Sequence, residues 1–104
     1  MKIVVLTIFP EMFGPFWNHG IIRRAIEKEK IVALTLNIRD FAEDKHQVTD
    51  DRPYGGGSGM VMKPEPLSAA IRAAEQAAPC AQKILLTPQG RVFNQKLAQE
   101  LASC

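Results

Sequence analysis

The sequence predicts an α/β fold: helices layered on a parallel sheet. Three observations predict it. Short runs of β-branched and aliphatic residues alternate with segments whose apolar residues recur at helical spacing. The order reads strand, helix, strand, loop, helix, strand, helix, an alternation that favours parallel strands joined by right-handed crossovers. A length of 104 residues suits a single domain, or a piece of one, with one modest core.

The elements follow in order. Lys2 to Phe9 is a mostly apolar run of the kind buried on both faces of a parallel sheet, and Pro10 ends it. Glu11 to Phe16 can form a short helical turn with Pro10 near its start and Gly14-Pro15 interrupting it. From Ile21 to Glu29, Ile22, Ala25 and Ile26 recur at helical spacing, with Arg23, Arg24, Glu27 and Lys28 on the other face. Glu27 and Lys30 are spaced to pair. Ile31 to Ile38 reads as a second strand, with Val32, Leu34, Leu36 and Ile38 on one face and Ala33 and Thr35 on the other.

A helix begins near Pro66, where proline suits the first turn, and ends before Pro79. Its stripe of Leu67, Ala70, Ile71, Ala74 and Ala78 is small enough to lie close against a sheet. Lys83 to Thr87 has the composition of a third strand, and Pro88-Gln89-Gly90 turns the chain. Asn94 is placed to cap a last helix, with Leu97 and Leu101 inward and Phe93 stapling against Ala98.

Between Arg39 and Glu65 little regular structure is expected beyond a turn near Asp40 to Glu43. A loop this long in a compact domain is usually functional or disordered. Its centre is Asp50-Asp51-Arg52-Pro53-Tyr54-Gly55-Gly56-Gly57-Ser58-Gly59-Met60, where neither a helix nor a regular strand is expected. Glycine lets a ligand approach the main chain closely, and prolines 53, 64 and 66 stiffen both flanks. A plain tether would not need Arg52-Pro53-Tyr54 before the glycines or Met60-Val61-Met62 after them, so a shaped loop is the better reading. The stretch lacks both the Lys-Ser/Thr ending of a P-loop and the spacing of a dinucleotide fingerprint.

In an open parallel sheet, ligands bind beyond the C-terminal strand ends. The long loop leaves that end of the second strand, and Thr87-Pro88-Gln89-Gly90 would leave that end of the third. The two unusual loops are therefore expected at one edge of the sheet.

Composition adds bounds. Apolar residues are 46% and charged residues 23%, ordinary for a globular chain. A net charge of +2 does not by itself point to nucleic acid, although eight of thirteen cations fall between residues 20 and 63. Cys80 and Cys104 carry no metal spacing and read as reduced thiols, so neither a metal site nor a disulfide framework is expected. No window nears the roughly 20 apolar residues of a membrane span, and the N-terminal apolar run is too short for a signal peptide.

Five segments carry a resemblance: Ile8-Phe9-Pro10-Glu11-Met12-Phe13, Ile38-Arg39-Asp40-Phe41, Asp44-Lys45-His46, Val48 to Pro66, and Leu86-Thr87-Pro88-Gln89-Gly90-Arg91. Together they resemble the bacterial tRNA (guanine-N1)-methyltransferases, of the SPOUT class with a deep trefoil knot. The likeness implies methyl transfer from S-adenosylmethionine to N1 of the guanosine 3′ of the anticodon, in a cytoplasmic homodimer. It implies that Leu85, Leu86, Thr87, Pro88, Gln89 and Gly90 form the first cofactor loop, with Thr87 standing where serine is frequent in the family. It also implies that Asp50, Arg52, Tyr54, Gly55, Gly56, Gly57 and Gly59 lie by the tRNA. A carboxylate at Asp50 suits a guanine edge and Arg52 suits phosphate. His46 is kept as an RNA contact only.

The resemblance further implies that residues 1–104 are the N-terminal part of a SPOUT domain, truncated before the knot and before a tRNA-binding domain. No residue here is assigned as the base that guanine N1 requires, so no catalytic residue is expected and the chain alone is expected to be inactive. Two other readings stay open. A non-catalytic RNA-binding α/β module would bind RNA with salt dependence and no effect of S-adenosylmethionine. A nucleotide-binding domain unrelated to methyl transfer would respond to ATP or NAD instead.

Overall fold

The computed structural model describes residues 1–42, 50–51 and 61–103. Its centre is a parallel pair of strands, β1 (Lys2–Thr7) and β2 (Val32–Asn37), in register from Lys2 opposite Val32 to Thr7 opposite Asn37. Parallel neighbours need a long crossover. Here it runs through a 3-10 turn at Pro10–Met12, helix α1 (Gly14–Trp17) and helix α2 (Gly20–Glu27). The helical run is interrupted at Phe13, immediately before Gly14-Pro15, so the pair does not sit inside the break. Proline is tolerated in a first turn, and this pair opens α1.

The crossover is fastened to the sheet through its aromatic residues. Trp17 Nε1 donates to Thr35 Oγ1 at 2.9 Å, and Phe13, Phe16 and Trp17 pack edgewise or tilted with ring centroids 5.2, 6.0 and 6.3 Å apart. Such ring pairs contribute beyond the area they bury. After α2 the chain tightens through Glu29, at φ +60, and Lys30 N–H reaches back to Ala25 O at 2.9 Å. The expected Glu27–Lys30 pair does not form. Glu27 Oε1 instead meets Arg23 Nε at 2.8 Å, one turn back on the same exposed face, while the chain at Lys30 has already left the helix.

Helix α3 (Pro64–Ala77) packs on β1, β2 and the 3-10 turn Ile38–Phe41. It starts two residues before the expected Pro66. Pro64 is as suited to a first turn as Pro66, and Pro66 is buried. The small stripe does what its size allows: Ala70 is 0% exposed, and Ile38 is 3% exposed in the turn that α3 covers. Helix α4 (Gln95–Ala102) is capped by Asn94, whose Oδ1 accepts from Leu97 N–H at 2.9 Å. Phe93 is 69% exposed, so the expected staple onto Ala98 buries little.

Three expectations fail in instructive ways. Residues 83–87 form no strand: Ile84, Leu85 and Leu86 are 59%, 84% and 90% exposed. β-propensity describes fit to a pleated, half-buried surface, and without a neighbouring ladder the composition has nothing to pair with. Among the described residues the sheet at the centre therefore has two strands, not three. As a consequence β1 is not buried on both faces; its residues Ile3–Thr7 are half-buried, and Val32 and Leu34 of β2 are exposed. Finally, the flanks of the glycine stretch do form strand. β3 (Asp50–Asp51) and β4 (Val61–Met62) pair antiparallel, with Asp50 opposite Met62 and Asp51 opposite Val61.

Because Ala70 of α3 is fully buried, Ala70→Leu should lower unfolding free energy by about 1–3 kcal/mol through overpacking. Gln76→Leu, at an exposed position of the same helix, should change it by no more than about 0.5 kcal/mol. Urea titration followed by Trp17 fluorescence measures both.

Candidate functional site

Parallel pairing brings the C-terminal ends of β1 and β2 to one edge, and local hydrogen bonds make that edge firm. Thr7 Oγ1 accepts from Phe9 N–H at 3.0 Å where β1 ends. Asn37 Oδ1 accepts from Arg39 N–H at 3.0 Å and starts the turn after β2, a side chain substituting for an absent backbone partner. Arg39 then reaches across the edge, its Nε donating to Ile8 O at 3.4 Å. Ile38 fills the space beneath α3. The chain that leaves this edge at Ala42 is the one that carries the glycine loop.

Asp50 has its backbone in β3, and the β3–β4 ladder holds the two ends of the loop together. Arg52, Tyr54, Gly55, Gly56, Gly57 and Gly59 lie outside the described residues, as does His46.

The second candidate segment is described throughout. Gly90 N–H donates to Thr87 O at 3.2 Å and Gln89 N–H to Thr87 Oγ1 at 3.3 Å, so Thr87 closes the turn with both its carbonyl and its hydroxyl. Gly90 does not need glycine's backbone freedom here. A side chain added to it would meet Thr87 at 3.4 Å, an ordinary contact. Before the turn, the main chain of Ile84, Leu85 and Leu86 makes no hydrogen bond among the described residues. Lys83 Nζ meets Glu75 Oε1 at 2.7 Å and ties the start of this segment to the end of α3. Directly after the turn, Arg91, Val92, Asn94, Lys96, Leu97 and Glu100 line an open groove of about 350 Å³.

The expected meeting of the two loops lies outside the described residues, which show only how each loop departs. The first leaves the C-terminal edge of the sheet, as expected. The second does not leave a strand end, because residues 83–87 lack a ladder, and it lies exposed. Among the described residues no group of three or more His, Cys, Asp or Glu could hold a metal ion, and Cys80 is a free, exposed thiol. No helix among them is long and apolar enough to cross a membrane.

The family model for tRNA (guanine-1)-methyltransferase TrmD matches residues 1–104. The chain belongs to this family. It is 57% identical over 102 residues to a tRNA (guanine-N(1)-)-methyltransferase of Desulfatibacillum aliphaticivorans, covering 98% of this chain and 39% of that protein. A relative of the same name from Geotalea uraniireducens is 55% identical, covering 98% of this chain and 41% of the relative. The fold is similar to the crystal structure of tRNA (m1G37) methyltransferase from Aquifex aeolicus, with a TM-score of 0.86 and 36% identity across 97% of this chain and 45% of that one. The chain therefore spans about two fifths of the length of the curated relatives it matches.

Within this TrmD-family chain, sequence reasoning overlooked Asn37 and Arg39 as the residues that build the edge. Asn37 followed by a polar turn is a capping signal at a strand end, and it was legible. Arg39 holding the carbonyl of a residue 31 positions away was not.

If residues 84–86 have no partner in this chain, Leu86→Ser should alter unfolding free energy by no more than about 0.5 kcal/mol. Ile38→Ala, at the buried turn, should cost about 2–5 kcal/mol. Equal losses in a urea titration would show that Leu86 is packed.

Proposed function

We propose that this chain serves methyl transfer from S-adenosylmethionine to N1 of guanosine 37 in tRNA, as the N-terminal part of a cytoplasmic, homodimeric SPOUT methyltransferase. The observation that carries the proposal is the family match along the whole chain. It favours an enzyme over a free-standing RNA-binding module or an unrelated nucleotide-binding domain, since neither would account for agreement over residues 1–104.

The residues present suit the methyl donor. An adenosine moiety offers hydrogen-bonding edges and apolar faces. Leu85 and Leu86 offer main-chain N–H and C=O groups without a hydrogen bond among the described residues and two exposed aliphatic side chains. The Thr87–Gly90 turn fixes the direction in which the chain leaves them. Leu85, Leu86, Thr87, Pro88, Gln89 and Gly90 would hold the donor; when bound, it supplies an activated methyl group on sulfonium.

On the RNA side, a carboxylate at Asp50 accepts from the N1–H and N2–H₂ edge of guanine, and Arg52 binds phosphate. Tyr54 and Gly55, Gly56, Gly57 and Gly59 allow close approach of a base taken out of its stack. Methylation at N1 also needs a group that takes the proton or stabilises charge building at O6. No residue of this chain is assigned that role, so residues 1–104 alone bind without turnover.

The expected results are specific. Asp50→Ala should cost about 1–3 kcal/mol of guanosine discrimination, read as relative affinity for anticodon hairpins with G or A at the target position. Arg52→Ala should weaken all hairpins alike and lower the salt slope by about one. S-adenosylmethionine, and neither ATP nor NAD, should raise the melting temperature. Robust methyl transfer by this chain alone, or two variants with unchanged RNA affinity, would contradict the proposal.

A further inference from the structure

We propose a second RNA contact, a phosphate-binding stripe formed by Arg24, Lys28, Lys30 and Lys2. It lies at the end of the sheet opposite the loop, with Arg24 one turn back along α2, and its ligand is the sugar-phosphate backbone of a duplex stem. The inference rests on the tRNA reading above and extends it to a different surface.

The topology assembles the stripe. α2 returns the chain between two parallel strands, so its N-terminus lies towards the C-terminal edge and its C-terminus towards the strand starts. Arg24 and Lys28 are four residues apart and share a face. Past Lys28 the chain closes through Glu29, and Lys30 lands beside the start of β1. There Met1 donates its amine to Lys30 O at 3.0 Å, and Val32 N–H donates to Met1 O at 2.9 Å. Lys2 lies opposite Val32 in the ladder. The backbones of Lys2, Lys28 and Lys30, separated in sequence by as many as 28 positions, are thereby brought to the strand-start end of the sheet, with Arg24 one turn back along α2.

Their electrostatic state supports a ligand. All four are exposed, and none makes an ion pair among the described residues. The acid best placed to neutralise α2, Glu27, is taken by Arg23 at 2.8 Å. Glu29 is the only acid between Lys28 and Lys30. The negative end of the α2 dipole accounts for Lys28 near the helix C-terminus. It does not account for Lys2 or Lys30, which stand on strand and turn. A cluster of cations without ion pairs among the described residues is a fit for a phosphate backbone.

Strands of six residues separate the two edges by about 20 Å at roughly 3.3 Å per residue. A ligand that engages both the loop edge and the far cations must therefore span about 20 Å, and the occupant proposed here is the stem that continues from the anticodon loop. This yields the test. Fluorescence anisotropy would compare the chain with its Lys2→Ser/Lys28→Ser/Lys30→Ser variant. Two probes would be used between 50 and 200 mM salt: an anticodon stem-loop, and a single-stranded oligonucleotide of the loop alone.

The expected result is a loss on the order of tenfold in stem-loop affinity, with a salt slope shallower by about two to three and little change for the loop oligonucleotide. The charge-preserving Lys2→Arg/Lys28→Arg/Lys30→Arg variant should bind like the parent, and Glu29→Gln should bind the stem-loop more tightly. Unchanged stem-loop affinity and slope in the serine variant would overturn the stripe while leaving the loop assignment intact. A parent chain that binds neither RNA would overturn both readings together. Equal losses on both probes would overturn the stem as the ligand.

Discussion

The hydrogen-bond ladder between β1 and β2 is the constraint on which the other features depend. Pairing Lys2–Thr7 with Val32–Asn37 in parallel forces the intervening chain to cross over, and so creates α1 and α2 as a separate layer. It brings two strand ends to one edge, where Arg39 can hold Ile8 O and where the glycine loop departs. It also presents Thr35 to Trp17 and fixes the crossover against the strand it leads to. The same register brings Lys2 and Lys30 together at the opposite end.

The two candidate loops are built on different physical terms. The glycine loop is closed at its base by β3 and β4, so its ends are held whatever its centre does. The Leu85–Gly90 segment has an ordered turn, but its approach makes no main-chain hydrogen bond among the described residues, and Leu85 and Leu86 are almost wholly exposed. Exposed aliphatic side chains beside unpaired main-chain groups are the two kinds of surface that an adenosine ligand covers at once. A chain spanning two fifths of its relatives' length carries this surface together with the glycine stretch.

Much of this was legible in the residues themselves. The β-branched runs at Lys2 and Ile31, the Ile22-Ala25-Ile26 spacing and the small stripe through Ala70 each specify an element that formed close to its expected bounds. Asn94 was readable as a cap because the reason is local: its side chain serves an N–H three residues on. What was not legible depends on partners far away in the chain. Lys83–Thr87 has the composition of a strand, but pairing is decided by a neighbour. Asp50-Asp51 and Val61-Met62 have weak strand composition, yet they pair because they sit on either side of one loop. The candidate site was readable as residue types and motifs. Its geometry was not, since one segment turned out exposed where a strand end was expected.

The central claim is that the Thr87–Gly90 turn and the glycine loop meet around one base and one methyl donor. Paramagnetic relaxation enhancement tests it most directly. A nitroxide would be attached at Gln89→Cys in a Cys80→Ser/Cys104→Ser background, with S-adenosylmethionine and an anticodon stem-loop present. Broadened amide resonances of Gly55, Gly56, Gly57 and Gly59, within one copy or between copies in a mixture of labelled and unlabelled chains, are the predicted result. Sharp glycine resonances in both arrangements would contradict the account.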